Sequence, residues 1–168
     1  MILLIDTTKE GLGERVLKRL DSENENSSIV YVDASRLNIS HCLGCNYCWL
    51  KTPGECVVKD DYEPLLKKIS KADQVWLVSD TKFGFVTYAT KNIVDRLMPL
   101  FTMNLHMVGK QMRHITRYKK NPDWGVIFSG DGDKEYLDRW CERLAINFAG
   151  KSLGAYDISN LEEATKCM

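Results

Sequence analysis

Short apolar runs alternate along this chain with segments whose apolar residues recur at helical spacing. Continuous apolar runs of this kind fill parallel strands that are covered on both faces, and helices of this length supply the crossovers between them. The pattern predicts an α/β fold with a parallel sheet and helices on both faces. The predicted strands are residues 2–5, 29–32, 75–78, 125–128 and, more weakly, 153–158. Four predicted helices have the apolar faces Leu12, Val16, Leu17 and Leu20; Tyr62, Leu65, Leu66 and Ile69; Ile93, Leu97, Leu100 and Phe101; and Leu137, Trp140, Leu144 and Phe148. A short helix is predicted from Leu161.

Three segments of the chain follow the carboxyl ends of predicted strands. They are residues 6–13, 80–84 and 129–133. In open parallel sheets, ligands bind in the crevice outside these strand ends. We therefore expect the three segments to be binding loops at one edge of the sheet.

Four of the six cysteines fall within one compact run, C-x2-C-x2-C-x7-C, formed by Cys42, Cys45, Cys48 and Cys56. Ferredoxins use similar spacing to bring thiolates onto an iron-sulfur cluster. Structural zinc fits less well, because zinc sites usually separate two ligand pairs by a dozen residues or more. Disulfides fit less well still, because the sequence shows no secretory context. In a reducing compartment, clustered cysteines bind metals or act in redox chemistry. The run predicts a metal or redox site.

The chain has 168 residues, 44% of them hydrophobic, with 23 basic and 23 acidic side chains. This length and composition predict one domain with a full core. Balanced charge argues against nucleic acid or an anionic membrane as partner, so a small molecule or a redox protein is expected. Met1 to Ile5 is too short for a signal-peptide core and no run approaches transmembrane length, which predicts a cytoplasmic protein.

Three segments carry a resemblance to a known family. They read H-C-L-G-C-N-Y-C-W at 41–49, G-E-C-V-V-K-D-D-Y at 54–62 and K-N-I-V-D-R-L at 91–97. Together with the five strand–helix units, they resemble the flavodoxin-like proteins that include NAD(P)H-dependent FMN reductases and iron-sulfur flavoproteins. The resemblance covers nearly the whole chain, and the cysteine run is among its most specific parts.

The resemblance implies one flavodoxin-like domain over residues 1–168, a doubly wound five-stranded parallel sheet in the order 2-1-3-4-5. It implies FMN in the three loops, NAD(P)H as electron donor and, as in the iron-sulfur members, a [4Fe-4S] cluster on four compact cysteines. It names no catalytic residue here. The residues implied for cofactor binding are Thr7, Thr8, Lys9, Gly11, Leu12, Gly13, Asp80, Thr81, Lys82, Phe83, Gly84, Ser129, Gly130 and Asp131, and those implied for metal are Cys42, Cys45, Cys48 and Cys56.

The first loop departs from the family's G-S-P-R-x-x-G-N-T and reads D-T-T-K-E-G-L-G-E at 6–14. Thr7 can replace the serine and Lys9 the charge of the arginine. Glu14, however, stands where a hydroxyl is expected and repels a phosphate unless it turns outward. A capped helix start without phosphate is the alternative, because Thr7-x-x-Glu10 satisfies the capping-box pattern. The sequence leaves both open.

The second loop departs from S-P-x-Y-x-G and reads S-D-T-K-F-G at 79–84. Lys82 takes the place of the tyrosine and could stabilise an anionic reduced flavin. The preferred interpretation is a surface lysine in a loop that has lost its flavin contacts. In the third loop, Asp133 is expected to cap the next helix.

Several other residues have two interpretations. A basic stretch could meet the 2′-phosphate of NADPH or an acidic redox partner, but a solvated face is preferred. Four methionines suit a dimer contact or a cover over the flavin, with core filling as the default. His41 is expected to be only a neighbour of the cysteines, Cys141 to be core and Cys167 to be inert. The basic residues are Lys110, Arg113, His114, Arg117, Lys119 and Lys120, and the methionines are Met98, Met103, Met107 and Met112.

Two function classes remain. The first is an FMN-dependent NAD(P)H oxidoreductase or electron-transfer flavoprotein, with a cysteine-bound cluster as the electron outlet if one assembles. The second is a non-catalytic flavodoxin-like module that has lost the flavin and keeps a cysteine site for metal or redox sensing. The resemblance favours the first, as a homo-oligomer, a dimer or a tetramer.

Overall fold

The computed structural model describes residues 1–23 and 28–168. Its strands and helices alternate as the apolar pattern predicts, with one insertion. In chain order they are β1 (Ile2–Asp6), α1 (Leu12–Glu23), β2 (Ile29–Asp33), α2 (Tyr47–Leu50), α3 (Tyr62–Ile69), β3 (Gln74–Lys82), β4 (Phe85–Val86), α4 (Tyr88–Asp95), β5 (Phe101–Val108), β6 (Gln111–Thr116), β7 (Asp123–Ser129), α5 (Lys134–Asn147), β8 (Ser152–Asp157) and α6 (Leu161–Thr165).

The main sheet has the order β2-β1-β3-β7-β8, and these five strands are parallel. This is the predicted 2-1-3-4-5 arrangement. In the register, Asp6 lies beside Asp33 on one side and Val78 on the other. The carboxyl ends of the strands therefore meet at one edge, where the predicted loops begin.

Side chains of the sheet alternate between two cores. Leu3, Ile5 and Leu77 pack with α3, α4 and α5 on one face. Leu4 and Trp76 pack with α1 and α6 on the other face. A parallel sheet is stable only when both faces are covered, and the continuous apolar runs of the sequence reflect that requirement.

The third predicted helix is shorter than its apolar stripe. Helix α4 ends at Asp95, a 3-10 turn covers Met98–Leu100, and Phe101 already begins β5. Pro99 explains the break, because proline has no N–H to donate to the Asp95 carbonyl four residues earlier and its ring clashes with that carbonyl. The prediction that the helix runs through Phe101 was wrong, although Leu97 and Leu100 are buried as expected.

Strands β5 and β6 form an antiparallel hairpin that the sequence analysis did not predict. Gly109, with φ of 60°, is the first residue of its two-residue turn, a position where hairpins favour glycine. Met103, Met107 and Met112 are exposed on this hairpin, so core filling was the wrong interpretation for these three. The homo-oligomer stays a prediction.

A second hairpin replaces the predicted loop after β3. Strand β3 continues to Lys82 and pairs with β4, with Thr81 opposite Val86 and Lys82 opposite Phe85. The turn residues Phe83 and Gly84 have φ of 55° and 77°. Two positive φ values are typical of a type I′ turn, in which a non-glycine residue such as Phe83 is strained.

The strain at Phe83 leads to a stability prediction. Phe83 is 90% exposed, so its ring contributes little packing. Phe83→Asn should raise the free energy of unfolding by about 1 kcal/mol in urea denaturation, because asparagine tolerates positive φ. Phe83→Ala is the matched control, since it removes the ring and keeps the strain. An equal gain from alanine would contradict the strain argument.

Candidate functional site

Asp6, the last residue of β1, is fully buried and closes the first loop. Its Oδ1 accepts hydrogen bonds from the backbone N–H and the hydroxyl of Thr8, at 2.9 and 2.7 Å. Its Oδ2 accepts from the Gly13 N–H at 2.7 Å and from the Tyr31 hydroxyl at 3.1 Å. Burial and the Asp6 charge together raise the pKa of Tyr31, so Tyr31 remains a donor at neutral pH.

The backbone N–H groups at the start of α1 find their hydrogen-bond partners within the same loop. The Leu12 N–H donates to the Thr8 hydroxyl at 2.9 Å, and the Glu14 N–H donates to the Gly11 carbonyl at 3.0 Å. With Gly13 bound to Asp6, the amides of Leu12, Gly13 and Glu14 all have partners within the loop. Helix-start amides are the groups that bind phosphate in related loops.

The capped-loop alternative is therefore the one observed, but its capping residues differ from those predicted. The predicted cap was Thr7 with Glu10, whereas Glu10 is exposed and Asp6 with Thr8 supplies the oxygens. Glu14 is exposed, as phosphate binding would require. The fixed Asp6 carboxylate, however, would lie close to any phosphate at this helix start. Two like charges about 4 Å apart cost about 4 kcal/mol at an effective dielectric of about 20. The loop does not fit the phosphate of FMN.

A cavity of about 280 Å³ lies beside this loop, at the carboxyl ends of β1 and β3. Of the predicted cofactor residues, Thr7, Lys9 and Asp80 line it. Sequence reasoning missed the other walls, which come from the segment after β2 and from the start of α4. The first of these could have been found, because it also follows a strand's carboxyl end. These further lining residues are Ala34, Ser35, Leu37, Asn38, Ile39, Thr87, Tyr88, Ala89, Asn92 and Ile93.

Buried hydroxyls connect the three elements behind this cavity. Thr7 Oγ1 lies 2.6 Å from Thr90 Oγ1, Thr90 donates to Ser79 Oγ at 2.7 Å, and Ser79 donates to the Asp80 carbonyl at 2.7 Å. The chain of bonds joins β1, α4 and β3. Because each hydroxyl has a partner, the three elements are held at fixed positions around the cavity.

The other predicted cofactor residues do not line this cavity. Thr8, Gly11, Leu12 and Gly13 build the loop itself. Lys82 ends β3, and Phe83 and Gly84 form the hairpin turn. Lys82 and Phe83 are exposed. The hydroxyl of Thr81 donates to the Ser129 carbonyl at 2.8 Å, and the Asp133 N–H donates to the Gly84 carbonyl at 3.0 Å. The second and third loops, with Gly130 and Asp131, are therefore bonded to each other. Asp133 caps α5 as predicted, accepting from the Tyr136 N–H at 3.0 Å.

The four clustered cysteines line a second cavity of about 330 Å³. Its apolar walls include Leu43, Val57, Val58, Met98 and Pro99. Burial raises the pKa of Cys48, and the charges of Cys56, Cys42 and Cys45 add to this effect. Among the described residues, no group of three or more His, Cys, Asp or Glu side chains is arranged to hold a single metal ion. Four thiols around one apolar cavity fit the donor set of an iron-sulfur cluster.

The cysteine segment turns with little regular structure. Gly44 and Asn46 have φ of 64° and 58°, so residues with left-handed geometry stand on both sides of Cys45. These turns allow three cysteines at two-residue gaps to face one cavity. His41 is exposed and does not line that cavity. Cys141 is buried in the core as predicted, with its Sγ donating to the Trp124 carbonyl at 3.1 Å.

A buried ion pair joins the two ends of the cysteine segment. Arg96, at the end of α4, donates to the Asp60 carboxylate and to the carbonyls of Ser40 and Val58, both at 3.2 Å. Asp60 also accepts from the Ser40 N–H at 2.9 Å. Arg96 and Asp60 are 1% and 5% exposed. Burial alone lowers the pKa of Arg96, but Asp60 and the charge of Cys56 outweigh it and raise the pKa. The Nε atom of Arg96 is buried and has no hydrogen-bond partner among the described residues.

The β5–β6 hairpin holds the cysteine segment from the other side. Arg117 donates to the carbonyls of Pro99 and Phe101, each at 3.0 Å, and to that of Cys48 at 3.4 Å. The His114 ring packs on Trp49 with centroids 4.6 Å apart. Arg113 is buried, with its guanidinium bonded to Asn147. Arg113, His114 and Arg117 therefore have structural contacts rather than forming a solvated face. Lys110, Lys119 and Lys120 are exposed, as a solvated face predicts.

The two cavities adjoin along α4. Asn92 and Ile93 line the first, whereas Asp95 and Arg96 line the second. Asn92 also donates to the Ile39 carbonyl at 3.3 Å, next to the Ser40 carbonyl that Arg96 contacts. Asn92 and Arg96 are one helical turn apart, about 6 Å along the axis. A ligand in the first cavity and one on the cysteines would thus be close neighbours.

Comparison with known proteins supports a relationship to redox proteins. An iron-sulfur flavoprotein of Archaeoglobus fulgidus is 34% identical over 152 residues, which cover 87% of this chain and 63% of the relative. The chain is therefore similar in sequence to iron-sulfur flavoproteins. Another, from Methanocaldococcus jannaschii, is 33% identical over 84 residues, covering 50% of this chain and 39% of the relative. The chain thus spans less than two thirds of the length of either relative. No family model matches the sequence.

Solved structures confirm the flavodoxin-like fold. Azoreductase AzrA superposes with a TM-score of 0.64 at 12% identity, covering 98% of this chain and 97% of that chain. An FMN-dependent NADH-azoreductase from Bacillus anthracis, solved in complex with FMN, gives a TM-score of 0.55 at 12% identity and covers 98% of this chain and 93% of that chain. In the described part of the chain, no helix is both long and apolar enough to cross a membrane.

The Asp60–Arg96 pair leads to a stability prediction for neutral pH. Asp60→Asn should lower the free energy of unfolding at pH 7 by about 3 kcal/mol, because it leaves a buried guanidinium without its counter-charge. Chemical denaturation measures this loss. Glu63→Gln, which removes a half-buried carboxylate on α3 whose partner Lys67 is exposed, is the control and should change stability little.

The same pair predicts a pH dependence. Burial alone raises the pKa of Asp60, but the bonds from Arg96, Ser40 and Tyr62 outweigh it and lower the pKa below its ordinary 3.8. A carboxyl with a lowered folded pKa stabilises the protein fully above its unfolded pKa and loses that contribution as pH falls through the folded pKa. The difference between wild type and Asp60→Asn should therefore shrink below about pH 4. A difference that stays constant down to pH 2 would contradict the assignment.

Proposed function

We propose that this chain is an oxidoreductase with a flavin in the cavity beside β1 and β3 and an iron-sulfur cluster on Cys42, Cys45, Cys48 and Cys56. One observation carries the proposal: the two cavities adjoin along α4, one helical turn apart. The names of the curated relatives, iron-sulfur flavoproteins, support the same pair of cofactors. We further propose NAD(P)H as the electron donor, supported by the fold neighbour that is an FMN-dependent NADH-azoreductase.

The first cavity has the chemistry of a site for a flat, amphipathic ring. Leu37, Ile39 and Ile93 provide apolar walls, while Asn38 and Asn92 provide polar groups at its edge. The Thr87 side chain makes no cap hydrogen bond to α4 and can serve a ligand. A flavin bound here would supply both two-electron and one-electron chemistry. The buried hydroxyls of Thr7, Thr90 and Ser79 hold the elements that would orient it.

The cysteine cavity has the chemistry of a cluster site. The thiols would supply the ligands, and apolar residues line the cavity beside them, although Cys42 and Cys45 are exposed. Arg96 places a buried positive charge beside Cys56, which offsets the negative charge of bound thiolates. Arg96 and Arg117 hold the segment in place through backbone carbonyls.

A second function is favoured by a different observation. Because Asp6 occupies the start of α1, the chain would also suit a module that has lost its flavin and senses metal or redox state through the cysteines. The absorbance spectrum of anaerobically purified protein separates the two functions. Flavin bands together with a broad cluster shoulder support the oxidoreductase, whereas a cluster shoulder alone supports the sensor.

The cluster assignment predicts the outcome of a cysteine substitution. Cys45→Ser should lower bound iron and acid-labile sulfide together by more than half, because the cluster loses one of its four thiolates. Iron and sulfide analysis of anaerobically reconstituted protein measures this. Cys167→Ser, at a partly exposed cysteine outside the cavity, is the matched control and should keep both. Equal iron in the two variants would rule out the cluster, and one zinc per chain would indicate a structural zinc site.

A further inference from the structure

The Asp6 carboxylate occupies the place at the start of α1 that an anionic ligand would need. It is fully buried, and its two oxygens accept four hydrogen bonds, including one from the helix-start amide of Gly13 at 2.7 Å. A negative charge at a helix N-terminus is stabilised by the helix dipole and by these donors. The chain therefore supplies its own anion at this position.

The surrounding residues keep Asp6 there. Gly13 packs so closely that a Cβ at this position would lie 2.7 Å from the Asp6 Cβ. Tyr31 covers the carboxylate from β2. To admit a phosphate, Asp6 would have to leave four donors and place its charge in another buried position, which is costly. The close packing of Gly13 shows that the loop is built around the carboxylate.

The rest of the cavity offers little attraction for a phosphate. Among its lining residues in the described part of the chain, Lys9 is the one cation, and Asp80 is an opposing anion. Lys9 is exposed, so solvent screens its charge. The apolar walls and amide groups suit a neutral ring instead. Both charge and hydrogen bonding thus favour the ring part of a flavin over its phosphate.

We infer that this cavity binds the isoalloxazine ring without a phosphate anchor, so that it takes riboflavin, an unphosphorylated flavin, about as tightly as FMN. This inference rests on the proposed flavin site. It identifies the ligand class as the ring and its sugar-alcohol chain, with the phosphate contributing little. Asp6 is then a specificity-determining residue, because it removes the preference for FMN that free helix-start amides would give.

The test is a titration of the flavin-free full chain with FMN and with riboflavin, followed by quenching of flavin fluorescence. The two dissociation constants should agree within about tenfold, whereas a site with two or more phosphate hydrogen bonds should prefer FMN by about 100-fold or more. Asp6→Asn removes the charge with little change of shape. It should tighten FMN about tenfold and leave riboflavin unchanged.

Glu14→Gln is the matched control, because it removes an exposed carboxylate from the same turn of α1. It should shift neither constant by more than about twofold. The comparison of FMN with riboflavin on the wild-type protein needs no variant, so it tests the inference even if Asp6→Asn fails to fold. An FMN preference above tenfold in the wild type, or an equal FMN gain from Glu14→Gln and Asp6→Asn, overturns the inference and leaves the flavin site standing. Binding of neither flavin to the wild type overturns the proposed flavin site and the inference with it.

Discussion

The buried ion pair between Asp60 and Arg96 is the contact on which the functional edge of the molecule depends. It joins the start of α3, the end of α4 and both ends of the cysteine segment, which has little regular structure of its own. A buried pair of this kind is expensive to desolvate, and here its carboxylate is satisfied by backbone donors as well as by the guanidinium. The pair therefore fixes the position of a loop that the hydrophobic core does not reach.

The sequence predicted the sheet well because the signal for buried parallel strands is local. The apolar run Ile2 to Ile5 and the apolar stripe from Tyr62 to Ile69 each indicate that their own residues are buried, and the structure confirms both. Where prediction failed, the apolar pattern of a segment conflicted with another feature of the same segment. The stripe through Phe101 continued past Pro99, and the alternation at Met103, Leu105 and Met107 was not recognised as a strand.

The candidate site was less predictable, because its determinants are tertiary. Cys42 to Cys56 could be assigned to one cavity from spacing alone, and the structure places all four there. The part played by Asp6 could not be found in this way. Its partners Gly13 and Tyr31 lie 7 and 25 residues away, and only the fold brings them to one carboxylate. The walls contributed by Asn38 and Thr87 likewise belong to segments that only the parallel sheet makes adjacent.

Helix α4 has a consequence for how this molecule can be altered. Asn92 and Arg96 stand on the same helical face, and each bonds to a neighbouring carbonyl of the chain between β2 and the cysteines. A translation or rotation of α4 would therefore reshape both cavities at once. The two sites are not separable modules. An engineer who repacks α4 to change what one cavity holds must redesign the other in the same step.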